Sequence, residues 1–498
     1  MKFTDEQIGS IVDRVVSQIK LVPAGAKEPV TASDAPRAHP GAKQPAERAA
    51  GAIEKTDAAS GSMDYRGTFD SVDAAVKAAT RAFTDFKDIS LEQRKKIIER
   101  IRVLCRENVQ KMSQMARDET GLGRVEDKVI KNLLAINKTP GVEDIEPLTF
   151  TGDHGFTLLE KAPWGVIGSI TPCTNPTETI INNGISMIAG GNTVMFNPHP
   201  TAKKISMYAI DLLNRAVMSE GGPPNLFTTV AQPTIKSAQE LMQHRDIRLL
   251  VVTGGPAVVG AAMKTGKRVV AAGPGNPPVV VDETADMAKA ARDIVRSSSC
   301  DNNIICVIEK EIIATEKAAE PLKKALLQNH AYELSQYNAK RLEKIIVDND
   351  HPNKDFVGKD IQFILKQIGI DVAPDIRMAI VEAEPNHPFA KIEMLMPVVP
   401  FIRTGTIDQA IDLAYELEGG RFHTAAIHSK NIDHMHKMAV RMNTSIFVKN
   451  GMALAGLGLE GEGPASFTIA SPTGEGVTTA RHFTKLRRCV VSGYFRII

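Results

Sequence analysis

Two thiols stand six residues apart in Ser297-Ser-Ser-Cys300-Asp-Asn-Asn-Ile-Ile-Cys306-Val-Ile-Glu309. A cysteine attacks carbon only as the thiolate, and backbone N–H groups at a turn or helix start can stabilise that charge. Asp301, Asn302 and Asn303 supply such a polar turn just before Cys306, inside an otherwise apolar run. Free cysteine is also a common core residue, so the stretch fits a buried structural thiol equally. A second chemical signal is Val251-Val-Thr253-Gly254-Gly255-Pro256, where strand-like residues pass into a helix start. Glycines there let the backbone approach a pyrophosphate at the positive helix end. The literal G-x-G-x-x-G string at Gly456–Gly461 precedes a Gly/Pro/Ser/Thr-rich run rather than a helix pattern, and reads as a loop. Cys300, Cys306, His428, His434 and His436 lack the paired spacing of a structural zinc site, so no metal is expected.

These residues need elements to hold them. Short β-like runs at 166–170, 194–196, 226–229, 249–252 and 269–271 alternate with helical patterns at 202–217, 235–243 and 256–264. That rhythm implies a parallel sheet of the dinucleotide-binding kind. Before it, residues 65–138 read as helical, with one helix starting near Ser90. After it, a second α/β region carries a helix at 287–296, a strand reaching Ile313, helices to about Ile368, renewed strand character at 391–401 and a helix at 409–417. The last twenty residues read as a terminal strand.

The first twenty residues are a separate object. Ile8, Ile11, Val12, Val15, Val16 and Ile19 form one apolar helical face, and Thr4 with Gln7 fits a capping box. Residues 21–64, with five prolines and no aromatic residue, read as a flexible linker. An amphipathic helix on a tether suits docking to a partner, or folding back onto the body. Its polar face mixes both charges, which disfavours a membrane surface.

Composition excludes several classes. A chain of 498 residues accommodates two or three domains. Sixty basic against 58 acidic residues, a net charge of +2, give no electrostatic case for nucleic acid. Five scattered cysteines without C-x-x-C spacing indicate a reducing, cytoplasmic setting. No run approaches the roughly 18 apolar residues of a membrane span, so a soluble protein is expected.

Seven stretches then stand in one order: Thr171-Pro-Cys-Thr-Asn175-Pro-Thr, Asn197-Pro-His-Pro200, Thr253-Gly-Gly-Pro256, Ala272-Gly-Pro-Gly-Asn-Pro277, Asp301-Asn-Asn-Ile-Ile-Cys306, Glu393-Met-Leu-Met-Pro397 and Gly420-Arg-Phe-His423-Thr-Ala-Ala. Over residues 65–498 the chain resembles the aldehyde dehydrogenase superfamily, most of all its coenzyme-A-acylating branch. The resemblance implies an α/β fold with a Rossmann-type cofactor domain at 65–280 and an α/β catalytic domain at 281–475. It also implies a small oligomerisation hairpin at 148–162, a C-terminal strand at 476–498 that shares in oligomerisation, and a homo-oligomer, dimer or tetramer.

The resemblance assigns roles as well. Cys306 is the nucleophile, because the family places it after Asp-Asn-Asn-x-x. Asn175 and the Cys306 N–H hold the oxyanion of a thiohemiacetal, a donor contributing about 3 kcal/mol to a transition state. His423 shuttles protons, steadies the thiol of coenzyme A, or is a structural histidine. NAD is expected to rest on Thr171, Pro172, Asn197, His199, Thr253, Gly254, Gly255, Ala272, Gly273, Glu393 and Pro397. Asn197 and His199 stand where relatives keep a ribose-binding lysine; with no arginine nearby for a 2′-phosphate, NAD is favoured over NADP.

One departure decides the branch. Hydrolytic members carry a general-base glutamate in Glu-Leu-Gly-Gly, and this chain has Ala271-Ala272-Gly273-Pro274. Alanine cannot activate water, so an acyl-enzyme would persist until the thiol of coenzyme A takes the acyl group. The expected activity is NAD- and coenzyme-A-dependent oxidation of a short aldehyde, propanal first and acetaldehyde next. A hydrolytic dehydrogenase and a non-catalytic scaffold are the alternatives. Segment 1–20 resembles the encapsulation peptides of this branch. It implies docking to a shell or cargo protein in the lumen of a bacterial microcompartment.

Overall fold

A computed structural model describes residues 65–495; the amphipathic segment 1–20 and the linker 21–64 lie outside the described residues. Two parallel sheets organise the chain. In the first, the strands run in the order Thr68–Phe69, Phe227–Val230, Thr193–Pro198, Val166–Thr171, Ile247–Thr253 and Arg268–Ala272. Val166–Thr171 and Thr193–Pro198 are buried along their whole length, which is why both read as near-continuous apolar runs. Helix Val72–Phe86 packs Val72, Ala75 and Val76 against Val166, Ile170 and Met195 on one face. Helix Pro176–Ala189 takes the other face, where its Asn183 reaches Ser169 Oγ at 3.5 Å.

The second sheet runs Ala331–Leu334, Met378–Glu382, Val398–Thr404, Glu311–Thr315, Pro278–Val281, Thr424–His428 and Ile446–Lys449, again all parallel. Helices Met287–Ser298 and Glu316–Gln328 bury Ile294, Val295, Ala318 and Leu322 against one face. Ile407–Glu418 and Ile432–Met442 cover the other with Ala410, Ile411, Ala414 and Met438.

Several boundaries differ from the sequence reading. Pro278–Val281, read as the end of the cofactor domain, pairs with Glu311–Thr315 and Thr424–His428, so the crossing between sheets falls at residues 273–277. The helical stretch from Tyr65 opens on strand Thr68–Phe69, and strand Ala331–Leu334 interrupts the expected helices before Ile368. At 391–401 the strand begins only at Val398; Lys391 ends a one-turn helix, and Leu395 adopts a left-handed φ of 53°.

A third, antiparallel sheet joins the hairpin Leu148–Gly152 and Gly155–Pro163 to the C-terminal strand Thr484–Ser492. Leu148, Phe150, Leu486 and Val490 are exposed on it.

Candidate active site

The first sheet starts at Val166–Thr171, winds outward to one side, and returns on the other through Ile247–Thr253. A crevice at the carboxyl ends of strands forms where such a sheet reverses direction. Here a cavity of about 520 Å³ opens between these ends and the second region. Thr171, Pro172, Asn175, Asn197, His199, Thr253, Gly254, Gly255 and Gly273 line it from the first sheet, and Ile305, Cys306, Glu393 and Leu395 from the second.

Cys306 is presented by a turn of unusual backbone. Asp301, Asn302 and Asn303 hold consecutive left-handed φ values of 48°, 55° and 66°. Such a residue costs about 1–2 kcal/mol, least for Asn and Asp. Buried hydrogen bonds offset it. The Asp301 carboxylate accepts from Arg124 N–H at 2.7 Å and Lys128 Nζ at 2.9 Å, and it pairs with Lys131 Nζ at 2.5 Å. Asn302 Nδ2 donates to the Gly358 carbonyl at 3.0 Å, and Asn303 Nδ2 to the Ser298 carbonyl at 2.6 Å. Lys310 Nζ donates to Asn303 Oδ1 at 2.7 Å. At about 1.5–3 kcal/mol for each bond to a charged group this network opposes the strain, and the burial of its charges offsets part of that gain.

The thiol of Cys306 is partly open to the cavity, whereas Cys300 is 5% exposed and Cys105 is fully buried. Cys173 also lines the cavity. Burial, and next the carboxylate of Glu393, push the Cys306 thiol up to about 12, with Lys310 opposing. The turn therefore does not by itself hold a thiolate; desolvation outweighs it and the resting group is the thiol.

Asn175 sits immediately before helix Pro176–Ala189, and its Oδ1 accepts from Lys131 Nζ at 2.7 Å. Its Nδ2 donates to Thr174 Oγ1 at 3.2 Å and retains a second hydrogen to donate, and the residue lines the cavity. Glu393 is the only carboxylate among the lining residues; burial raises its pKa, while Lys310 and Arg421 oppose. Ala271 is wholly buried in the first sheet and places no polar group in the cavity.

Three expected site residues do not line the cavity. Ala272 ends an edge strand, its carbonyl accepting from Gly254 N–H at 3.1 Å, and Pro397 leads into Val398–Thr404 with its carbonyl taken by Ala379 N–H. His423 is 1% exposed beneath the loop that carries Gly275. A Cβ added to Gly275 would lie 2.5 Å from the Cys306 carbonyl oxygen and 3.1 Å from His423 Cγ. Only a glycine fits between them. Burial lowers the His423 pKa to about 4, so the ring is neutral; Nδ1 meets Thr424 Oγ1 at 2.9 Å, and Nε2 has no partner.

The cavity suits a dinucleotide. Thr253-Gly254-Gly255 leads into helix Pro256–Met263, and a side chain added at Gly255 would meet nothing within 4 Å. Thr171 Oγ1 is buried without a partner, a polar atom awaiting a ligand. Among the described residues, no group of three or more His, Cys, Asp or Glu could hold a metal ion.

Lys128, Lys131 and Lys310 escaped the sequence reading. The signal for the first two was available: Asp127, Lys128, Lys131 and Asn132 are polar residues at helical spacing on a helix whose neighbours are apolar, and all four are buried. Their partner lies 173 residues away in the chain for Lys128, a separation that no local pattern encodes.

Residues 53–344 match the aldehyde dehydrogenase family. Acetaldehyde dehydrogenase (acetylating) EutE of Salmonella typhimurium is 51% identical over 439 residues, covering 87% of this chain and 94% of that one. A propionaldehyde dehydrogenase from the Clostridium phytofermentans fucose utilisation bacterial microcompartment shares the fold with a TM-score of 0.86 and 46% identity, over 87% of this chain and 100% of that chain. A Rhodopseudomonas palustris propionaldehyde dehydrogenase, solved with bound CoA and an acylated cysteine, gives 0.85 and 46%, over 86% of this chain and 98% of that chain.

Proposed function

This chain belongs to the aldehyde dehydrogenase family, and from that premise we propose that it oxidises a short aldehyde to its coenzyme A thioester with NAD. Propanal and acetaldehyde both fit, since the similar proteins act on one or the other by name. The observation that carries the reading is a cavity holding Cys306 and Asn175 with Glu393 as its only carboxylate and Ala271 withdrawn into the sheet.

The residues divide the work as follows. Cys306 sulfur bonds to the aldehyde carbon, and the thiol proton passes to solvent; His423, 1% exposed and outside the cavity lining, is proposed as a structural residue that supports the Gly275 loop against Cys306. Asn175 Nδ2 and the Cys306 N–H donate to the resulting oxyanion. The Thr253–Gly255 loop, Thr171, Asn197, His199 and Glu393 would hold NAD⁺, which would supply the hydride acceptor there. The oxyanion then reforms a carbonyl as a thioester on Cys306. Coenzyme A sulfur adds to that carbonyl, the Cys306–acyl bond breaks, the proton given up by the coenzyme A thiol returns to the Cys306 sulfur, and the acyl thioester leaves. Water gains no base comparable to the hydrolytic glutamate, so the thioester persists until the second thiol arrives.

In the assay, NADH from propanal or acetaldehyde should appear in step with coenzyme A consumed. Sustained turnover to the free acid without coenzyme A would sink the reading in favour of a hydrolytic enzyme, and failure to bind NAD in favour of a scaffold.

The relative from a fucose utilisation microcompartment supports association with such a compartment. Segment 1–20 is proposed as the docking helix for a shell or cargo protein and the lumen as its location. The three-stranded antiparallel sheet, with its exposed Leu148, Phe150, Leu486 and Val490, is proposed as the contact of a homo-oligomer.

A further inference from the structure

We infer that Lys131 is a positioning residue that orients the amide of Asn175 toward the reacting carbonyl and ties that amide to the turn carrying Cys306. The inference rests on the proposed role of Asn175 as oxyanion donor.

Lys131 Nζ lies on helix Val125–Lys138, 2% exposed. It reaches four polar atoms: Asn175 Oδ1 at 2.7 Å, the Thr174 carbonyl at 3.3 Å and Glu178 Oε1 at 3.3 Å around the start of helix Pro176–Ala189, and Asp301 Oδ2 at 2.5 Å on the nucleophile turn. A carboxamide has two faces of nearly identical shape, and only its hydrogen-bond partners decide which one points where. An ammonium donates and never accepts. A flipped Asn175 would therefore set an NH₂ against an NH₃⁺ at 2.7 Å, too close for a water between them, so Lys131 admits one orientation alone. In that orientation Nδ2 is the end of a cavity-lining amide left free to donate, and one of its two hydrogens is taken by Thr174 Oγ1 at 3.2 Å.

The arrangement holds its charge. Burial alone would strip the proton from Lys131, but Asp301 and then Glu178 outweigh it and raise its pKa. Lys128 and Lys131 against Asp301 and Glu178 leave a buried set of four charges that is neutral. Through Asp301 the same cation grips the first left-handed residue of the nucleophile turn. One side chain thus fixes the distance between the nucleophile's support and the oxyanion donor, without touching either substrate. No covalent step is assigned to it.

The test uses the full-length enzyme with aldehyde, NAD and coenzyme A. Lys131→Met is expected to lower kcat about tenfold or more, with KM for NAD and coenzyme A held within about threefold, since only an interaction of the transition state is disturbed. The pair Lys131→Met with Glu178→Gln removes one charge of each sign. It should show the same loss, and it serves as the folded variant if the single substitution leaves too little protein. In an Asn175→Ala background, Lys131→Met should cost at least about threefold less than in the parent enzyme, because the part of its effect carried by that donor is already lost. Full kcat in the charge-compensated pair, or an undiminished tenfold loss in the Asn175→Ala background, would overturn the inference while leaving Asn175 its role. Unimpaired activity of Asn175→Ala alone would refute the oxyanion reading itself, and the inference with it.

Discussion

Six residues separate Cys300 from Cys306, and their surroundings decide which of them can react. Cys300 faces buried Asp127 and Asp301, and its thiol is pushed well above the ordinary range by burial and then by those carboxylates. Cys306 is raised too, to about 12, yet it opens on the cavity. Cys306→Ala is expected to abolish turnover, and Cys300→Ala to leave it within a few fold. The raised thiol makes a further measurable statement. Below its pKa the thiolate fraction grows about tenfold per pH unit, so alkylation of Cys306 in the ligand-free protein should climb about a hundredfold from pH 7 to pH 9. A plateau near pH 8 would show that the thiol is far more acidic than its burial implies. At this scale the sequence was informative about identity and silent about state. The spacing after Asp-Asn-Asn singles out Cys306 by family likeness, but the thiol's protonation follows from Glu393, Lys310 and desolvation, which meet only in the folded chain.

Among the elements, the nucleophile turn depends on a neighbour far off in sequence. Gly123 has a φ of +70°, and a side chain there would overlap the Asp301 carboxylate. Gly121 has nearly the same φ, +69°, but an added Cβ would meet only the mobile end of Lys359, at 3.2 Å. Both alanine substitutions carry the left-handed penalty of about 1 kcal/mol. Gly123→Ala should cost about 2 kcal/mol more than Gly121→Ala in denaturant unfolding, because it also displaces a buried, paired carboxylate. Equal losses would mean that Asp301 shifts without consequence. Five of the six strands of the first sheet were legible because burial on both faces leaves each with a mostly apolar run. Thr68–Phe69, Ala331–Leu334 and Ile446–Lys449 were not, being only two to four residues long and only partly buried. Length and flanking polarity leave such pieces without a period to read.

For the molecule as a whole, two surfaces carry the remaining predictions. Aspartate at Phe150 and Val490 places charge on the exposed face of the antiparallel sheet. If that face joins subunits, sedimentation should report a smaller particle; an unchanged particle would remove the sheet from the interface. Deleting residues 1–20 should leave aldehyde oxidation intact and abolish co-sedimentation with microcompartment shells, and continued co-sedimentation would end the docking reading. The overall architecture was legible because seven stretches kept one order along the chain. The crossing at residues 273–277 was misjudged by a few residues, since Pro278–Val281 is as apolar as the strands on either side and only its pairing partners assign it to the second sheet.

The withdrawal of Ala271 into the first sheet has a thermodynamic meaning. An acid released to water would discard the free energy of oxidation as an irreversible step. Handing an acyl group from one sulfur to another conserves the bond type, so group-transfer potential is carried forward rather than dissipated. Neither half of such a cycle has a strong downhill sense. With no hydrolytic step to commit the acyl group, the direction of flow is set by the ratios of NADH to NAD⁺ and of acylated to free coenzyme A.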